Sequence, residues 1–397
     1  MMTVVPHSPA PPAAALLASL GSRTAAMVDQ LAALVRAETS SGDLAACAAG
    51  IEVVRQIAAA VIGDPGEKVI ADGRTHARWR WPARPGGRPI ALVGHADTVW
   101  PLGTLTRWPF DVDHAAGTAT GPGCFDMKAG IVQLLHAVSV LPDPAGLEII
   151  ITSDEEVGSP TSRPLIEEIG RAAAAALILE PSRGGALKTG RKGTGLYRLD
   201  VVGRAAHAGL EPEKGANALV ALADVIGRVA ALARPSAGTT VTPTVAAAGT
   251  AVNVVPATAH VDLDVRVAEP LEADRVDREL RALTTALPGT ALTVSGRPNR
   301  PPMPLTASAA LFEVAKDAAA CLGLPALDGV FVGGGSDGNF TAAVGCPTLD
   351  GLGAVGAGAH AEGEHVRIGA MPERAALLAA IIGRLRSGPY GSDDGPR

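Results

Sequence analysis

The stretch Ile149-Ile150-Ile151-Thr152-Ser153-Asp154-Glu155-Glu156-Val157-Gly158-Ser159 constrains the fold more than any other part of the chain. A β-branched apolar run breaks off into three adjacent acids and then into a glycine beside turn-formers, which reads as a buried strand carrying carboxylates at its carboxyl end. Like charges crowded at a strand end repel one another. They are tolerated in water or beside a cation that neutralises them. A cation is the reading that the surrounding chain supports.

Around this strand, apolar helices and strands alternate. Helical spacing runs from Ala14 to about Ala37 and from Leu44 to Ile62, while residues 1 to about 13 read as disordered. Ala77 to Trp81 alternates, the turn-rich Pro82 to Arg88 interrupts it, and Pro89 to Val93 is a buried strand leading into Gly94-His95-Ala96-Asp97-Thr98-Val99-Trp100-Pro101. A loop, Gly121 to Gly130, precedes a helix from about Ala129 to Val140. Leu147 to Thr152 and Ala174 to Leu179 are strands, the second ending on Glu180-Pro181-Ser182. The alternation predicts an α/β fold, a mainly parallel sheet with helices on both faces. Ligands bind outside the carboxyl ends of such strands. His95, Asp126, Glu155, Glu156 and Glu180 all fall at or just after those ends.

The texture changes near Lys192. Leu196 to Val202 and Ala259 to Val267 alternate as strands with one wet face, with helices at about Asn217 to Leu232 and Leu271 to Leu287 and a strand from Ala291 to Ser295. The unit ends at the proline-rich Arg297 to Pro302, and from Ala307 the α/β texture returns. The expected organisation is one domain, 1–191 and 304–397, with an α+β domain, 192–303, inserted into it.

At 397 residues and 47% hydrophobic, the chain can bury a large core. Its charge of -6 and the lack of a basic cluster with interleaved aromatics exclude a nucleic-acid surface. Cys47, Cys124, Cys321 and Cys346 are scattered without a CxxC, which favours a reducing compartment and argues against sulfur ligation. The amino terminus has early prolines and no basic n-region, and no run approaches the ~18 apolar residues of a membrane span. A cytoplasmic protein without a membrane partner is expected.

Singly, each polar residue has a bland reading: His95 as a hydrogen-bonded structural residue, Asp126 or Glu180 as a helix cap. Together with His360 in Gly358-Ala359-His360-Ala361-Glu362-Gly363-Glu364, two histidines and four acids form the N/O ligand set that suits zinc or a similar divalent ion. One carboxylate can bridge two such ions. Asp97 could accept the second N–H of His95 and fix its tautomer. Glu155 and Glu156 diverge on an extended backbone, so one can bind metal while the other faces water as a general base.

Gly94-His95-Ala96-Asp97-Thr98-Val99, Gly123-Cys124-Phe125-Asp126-Met127-Lys128-Ala129-Gly130, Asp154-Glu155-Glu156-Val157-Gly158 and Gly358-Ala359-His360 resemble the co-catalytic zinc aminoacylase and carboxypeptidase superfamily. That superfamily includes glutamate carboxypeptidases of the carboxypeptidase G type, acetylornithine deacetylase and succinyl-diaminopimelate desuccinylase. The resemblance runs in order over about residues 15 to 390 and is greatest to the glutamate carboxypeptidase branch in Gly333 to Phe340 and Asp350 to Gly356. It implies two Zn2+ per subunit, with Co2+ or Mn2+ able to stand in. Asp126 would bridge them, Glu156 and His360 completing one site, His95 and Glu180 the other. Glu155 would be the general base and Asp97 would orient His95. The inserted domain is implied to be a lid and dimerisation domain, hence a homodimer. In it, His207 of Gly203 to Gly209 would polarise the scissile carbonyl, usually from the partner subunit, while Asn253 and Arg266 would hold the substrate's carbonyl and carboxylate. Ser336 is a lesser candidate.

The expected activity is hydrolysis of the amide in N-acyl amino acids or before C-terminal glutamate-like residues. The alternative is a deacetylase or desuccinylase of an N-acylated amino acid such as acetylornithine. A non-catalytic metal-dependent binding protein is disfavoured by Glu155 standing beside Glu156, and a phosphoesterase would need several basic groups around the metals. His7, His76, His114, His136, His260 and His365 lack a motif and read as structural or solvated; His114 and Cys124 could approach the site.

Overall fold

The structure is a computed structural model that describes residues 13–387. His7, residues 1–12 of the segment expected to be disordered, and residues 388–397 lie outside the described residues. The chain divides into two compact units, one of residues 1–190, 305–331 and 336–397, the other of 191–304 and 332–335.

The larger unit is built on a six-stranded sheet in the order Glu67–Ala71, Arg74–Arg80, Leu147–Thr152, Ile90–His95, Ala175–Ile178, Thr348–Leu349. Its last four strands are parallel, while Arg74–Arg80 runs antiparallel to Leu147–Thr152 and Glu67–Ala71 antiparallel to Arg74–Arg80. Every residue of Leu147–Thr152 is buried, which is why it reads as an unbroken apolar run. Its alternate side chains enter different cores. Ile149 and Ile151 join Leu92 and Leu177 under the helices Ala129–Ser139 and Ala370–Ser387, whereas Ile150 joins Val93, Ala176 and Ile178 against Arg163–Ala172. Helices therefore cover both faces.

Several boundaries differ from expectation. The first helix is two, Ala13–Gly21 and Thr24–Arg36, broken at Ser22-Arg23. The strand expected from Ala77 begins at Arg74 and pairs with Leu147–Thr152, and a preceding strand joins it through Asp72 and Gly73, both at positive φ. Helix Leu44–Ile62 is, among the described residues, the one long and apolar enough to cross a membrane by length and composition, contrary to the expectation that none approaches that length. It carries Glu52 and Arg55, the former bonded to Lys68, and buries Cys47, Ile51, Val54 and Ala58 in the core.

The second unit has four antiparallel strands in the order Thr240–Ala248, Thr258–Val267, Gly193–Val202, Ala291–Arg300, with helices Ala218–Ala230 and Pro270–Arg281 and its own core around Tyr197, Leu199, Val225, Val261 and Leu280. Strand Thr240–Ala248 has no strand signal in the sequence because Pro243 interrupts it; the proline sits at an edge-strand register shift, where no ladder donor is needed. Likewise the strand expected to stop at Ser295 continues through Pro298 to Arg300, with a shift between Pro298 and Arg300 on the opposite edge. The helix expected to reach Leu287 ends at Arg281. The chain enters and leaves this unit side by side, since Arg191 and Met303 exchange backbone N–H···O bonds of 3.0 Å each.

Candidate metal centre

Register brings the first ligands together. His95 ends its strand opposite Thr152, and the pairing of Val93 with Ile178 on the other side sets Glu180 level with His95. Asp126 lies in the turn Cys124–Lys128, non-helical at Asp126 and Met127 and with a cis peptide between them, at the head of helix Ala129–Ser139. That helix starts hard against the strand that leads to Glu180. A Cβ on Gly130 would stand 2.4 Å from the Leu179 carbonyl oxygen.

Asp126 presents one oxygen to each of two imidazoles. Its Oδ1 is 3.3 Å from His95 Nε2 and its Oδ2 is 3.4 Å from His360 Nε2. Glu180 Oε1 lies 3.5 Å from His95 Nε2, and Glu156 Oε1 lies 3.2 Å from His360 Nε2. Two triads result, His95/Asp126/Glu180 and Asp126/Glu156/His360, each with ligand atoms within 4.8 Å of one another. A carboxylate shared in this way can bridge two ions.

The donor set tests as a cation site. His95 is buried, its Nδ1 lies 3.0 Å from the Asp97 backbone carbonyl, and its Nε2 has no hydrogen-bond partner. With the proton on Nδ1, the Nε2 lone pair faces carboxylate oxygens, an arrangement that calls for positive charge between them. Burial alone would push the His95 pKa down; Asp126, Asp97 and Glu180 outweigh it and hold the imidazole well above its ordinary range. Asp126 and Glu156 hold His360 up at about 10. Burial likewise opposes the ionised form of Asp126, yet His360 and His95 keep it well below the usual carboxylate range. The residues fit a divalent ion with N/O ligands.

The Asp97 carboxylate lies 3.5 Å from His95 Nδ1, farther than the Asp97 backbone carbonyl, and it also accepts from Ser41 Oγ at 2.7 Å and from the N–H groups of Glu155 and Glu156 at 3.2 and 3.3 Å. It thereby ties the His95 segment to the acidic turn. Glu155 and Glu156 open that turn; Glu156 enters a triad and Glu155 belongs to neither. The third acid, Asp154, accepts from the backbone and hydroxyl groups of Thr161 and Ser162 and so anchors the loop.

Three neighbours carried no assigned role in the sequence. Ser41 bonds Asp97, Lys188 places Nζ 3.5 Å from Glu180 Oε2, and Glu364 holds the turn around Asp126. Only Glu364 had a signal, its place four residues after His360. Cys124 is buried with its thiol toward the carbonyls of Ala119 and Glu364, and His76 and His136 are buried against Thr161 and Gln30.

His207, Asn253 and Arg266 belong to the second unit. His207 is exposed, and its Nδ1 accepts the N–H groups of Gly209 and Leu210 at 3.1 Å each, which leaves the proton on Nε2 as a donor. Asn253 runs beside it, its carbonyl accepting the Ala208 N–H at 2.9 Å. Arg266 makes a two-pronged pair with Asp264, both bonds 2.7 Å. Ser336 lies in the first unit, fully buried, its hydroxyl donating to Asp350 at 2.7 Å and accepting from the Gly338 N–H at 3.1 Å.

The model of peptidase family M20/M25/M40 matches residues 91–384. Carboxypeptidase G2 of Pseudomonas sp. (strain RS-16) is 31% identical, the match covering 91% of this chain and 90% of that protein. A succinyl-diaminopimelate desuccinylase of Xanthomonas oryzae pv. oryzae (strain PXO99A) is 30% identical over 77% of this chain and 86% of its own. A tripeptidase of Staphylococcus aureus superposes with a TM-score of 0.71 at 21% identity, covering 90% of this chain and 97% of its own. The dipeptidase Dug1p of Saccharomyces cerevisiae does so at 0.69 and 15%, covering 94% and 99%. The two solved structures bear on the fold.

Proposed function

The chain belongs to peptidase family M20/M25/M40, and from that premise we propose a two-zinc amide hydrolase that cleaves N-acyl amino acids or C-terminal glutamate-like residues. The observation that carries this reading is the pair of triads sharing Asp126, with Glu155 beside them. His95 and Glu180 would hold one ion, Glu156 and His360 the other, and Asp126 both. Such ions lower the pKa of a coordinated water to about 7 and polarise the amide carbonyl. Co2+ or Mn2+ would suit the same ligands.

Glu155 takes the proton from the attacking water and returns it to the leaving nitrogen. Asp97 keeps the acidic turn and His95 in one frame. His207 donates from Nε2 to the developing oxyanion, from the partner subunit, and Asn253 holds the substrate's carbonyl. Arg266 takes the substrate's free carboxylate with the same two-pronged guanidinium face that it now presents to Asp264. Ser336 acts through the Gly338 loop it holds.

A homodimer through the inserted unit is supported by its unpaired edge strand, Thr240–Ala248, with Val245 57% exposed, and by Leu219 and Val220 at 47% and 56% on helix Ala218–Ala230. The four unpaired cysteines support a reducing, cytoplasmic setting. Desuccinylation or deacetylation of an N-acylated amino acid is the second reading, favoured by the desuccinylase relatives; the fuller coverage by carboxypeptidase G2, 91% against 77%, is the reason the glutamyl class comes first.

The test is amine release from a panel of N-acyl and glutamyl compounds by zinc-loaded wild type and Glu155→Gln. One substrate class should turn over, and the variant should keep its metal while kcat falls about 10²–10⁴-fold. A wild type that binds two ions yet leaves the whole panel intact sinks the substrate assignment.

A further inference from the structure

We propose that Glu364 is a positioning residue that locks Asp126 and His360 into a single metal-binding geometry, an inference resting on the metal-centre reading above. Glu364 is completely buried and lies four residues after His360 on the same loop. Its Oε1 accepts the N–H groups of Phe125 and Asp126 at 2.8 and 2.9 Å, and its Oε2 accepts the Gly123 N–H and the Trp100 indole N–H at 3.1 Å each. Its backbone carbonyl takes the Thr120 hydroxyl at 2.7 Å.

Backbone N–H groups that converge from a turn form an anion-binding nest. Here the anion is a side chain, delivered from the segment that bears the other ligand of the same triad. Any buried carboxylate could have satisfied the turn. Because Glu364 does so, the Asp126 turn cannot shift without carrying the His360 loop, and the 3.4 Å approach of Asp126 Oδ2 to His360 Nε2 is held from behind. The indole bond extends the clamp to Trp100, three residues past Asp97, so that the segments carrying His95, Asp126 and His360 meet on one carboxylate. Glu364 itself is in neither triad.

The test substitutes Glu364→Gln, which keeps the size but turns an amide NH2 toward N–H donors. The quantities read on purified protein are the Zn2+ dissociation constant by competition with a chromophoric chelator, the visible absorption of the Co2+-loaded form, the steady-state kcat and KM, and, as the check on folding, the thermal midpoint of the metal-free form. Affinity should weaken about 10–100-fold, the usual effect of losing a partner behind a ligand. The Co2+ spectrum should change, and kcat should fall with KM little altered. Wild-type affinity and spectrum in a folded variant overturn the role of Glu364. A wild type that takes up no divalent ion overturns the metal centre itself, and this inference with it. Should Glu364→Gln not fold, Trp100→Phe removes a single donor and must still weaken Zn2+ binding a few-fold; unchanged binding there also overturns the proposal.

Discussion

His95 and His136 are both buried imidazoles, and their surroundings drive them in opposite directions. His95 has carboxylates on either side, which outweigh burial and raise its pKa well above the ordinary range. His136 has Gln30 at 2.9 Å on Nε2 and nothing on Nδ1, so burial, aided by Arg23, pushes its pKa down to about 4. In the unfolded chain the same imidazole titrates near its ordinary 6.5. As pH falls, the unfolded chain therefore takes up the proton first. The contribution of His136 to stability is complete above about pH 6.5 and is lost as pH drops toward 4. Denaturant titrations at pH 7 and pH 4.5 should differ by about 1–2 kcal/mol from this residue, partial screening included. His136→Gln should flatten that part of the profile; an unchanged slope would remove His136 as its source. The sequence sets His95 in a strand-end motif and leaves His136 without one, but it says nothing of the pKa of either. What separates them is the set of groups each meets across the fold.

At the scale of elements, the close fit of helix Ala129–Ser139 to strand Ala175–Ile178 sets where Asp126 stands relative to Glu180. Gly130 makes it possible, since a Cβ there would meet the Leu179 carbonyl oxygen at 2.4 Å, a backbone atom that no rotamer change can move. Gly130→Ala should cost roughly 2–3 kcal/mol in thermal or denaturant unfolding and weaken metal binding as the turn is pushed out. Gly227 is the opposite case. It lies inside helix Ala218–Ala230, and a methyl group added there would meet nothing within 4 Å, so Gly227→Ala should raise stability by about 0.5–1 kcal/mol. If the two alanines act alike, the steric argument fails. Element type was legible where burial was uniform, as in Leu147–Thr152. It was hidden in Thr240–Ala248 and in the part of Ala291–Arg300 beyond Ser295, because edge strands admit prolines that a local reading takes as breaks. The Asp72–Gly73 hairpin had a readable turn signal, but its strand Glu67–Ala71 is short and largely exposed.

For the whole molecule, the candidate ligands all belong to the unit of residues 1–190, 305–331 and 336–397, while the inserted unit has its own core and a paired entry and exit at Arg191 and Met303. Metal should thus stabilise one unit and not the other. Chelation should lower the melting transition of the larger unit by the equivalent of about 4 kcal/mol for each ion whose free concentration had stood a thousand-fold above its dissociation constant. The transition of the inserted unit should stay in place. Calorimetry with and without chelator reads both, and a joint downward shift of equal size would contradict separate stabilisation.

Local residue pattern determined the α/β class, the central strand and its acids, and the motif-borne candidates, because buried strands and ligand-bearing loops leave periodic and compositional marks within a few neighbouring residues. Only the tertiary structure decided that Asp126 faces His95 with one oxygen and His360 with the other, that Asp97 reaches the N–H groups of Glu155 and Glu156, and that Glu364 closes on the Asp126 turn from more than two hundred residues away. Those relations depend on strand register, loop closure and burial, which no short window of sequence contains.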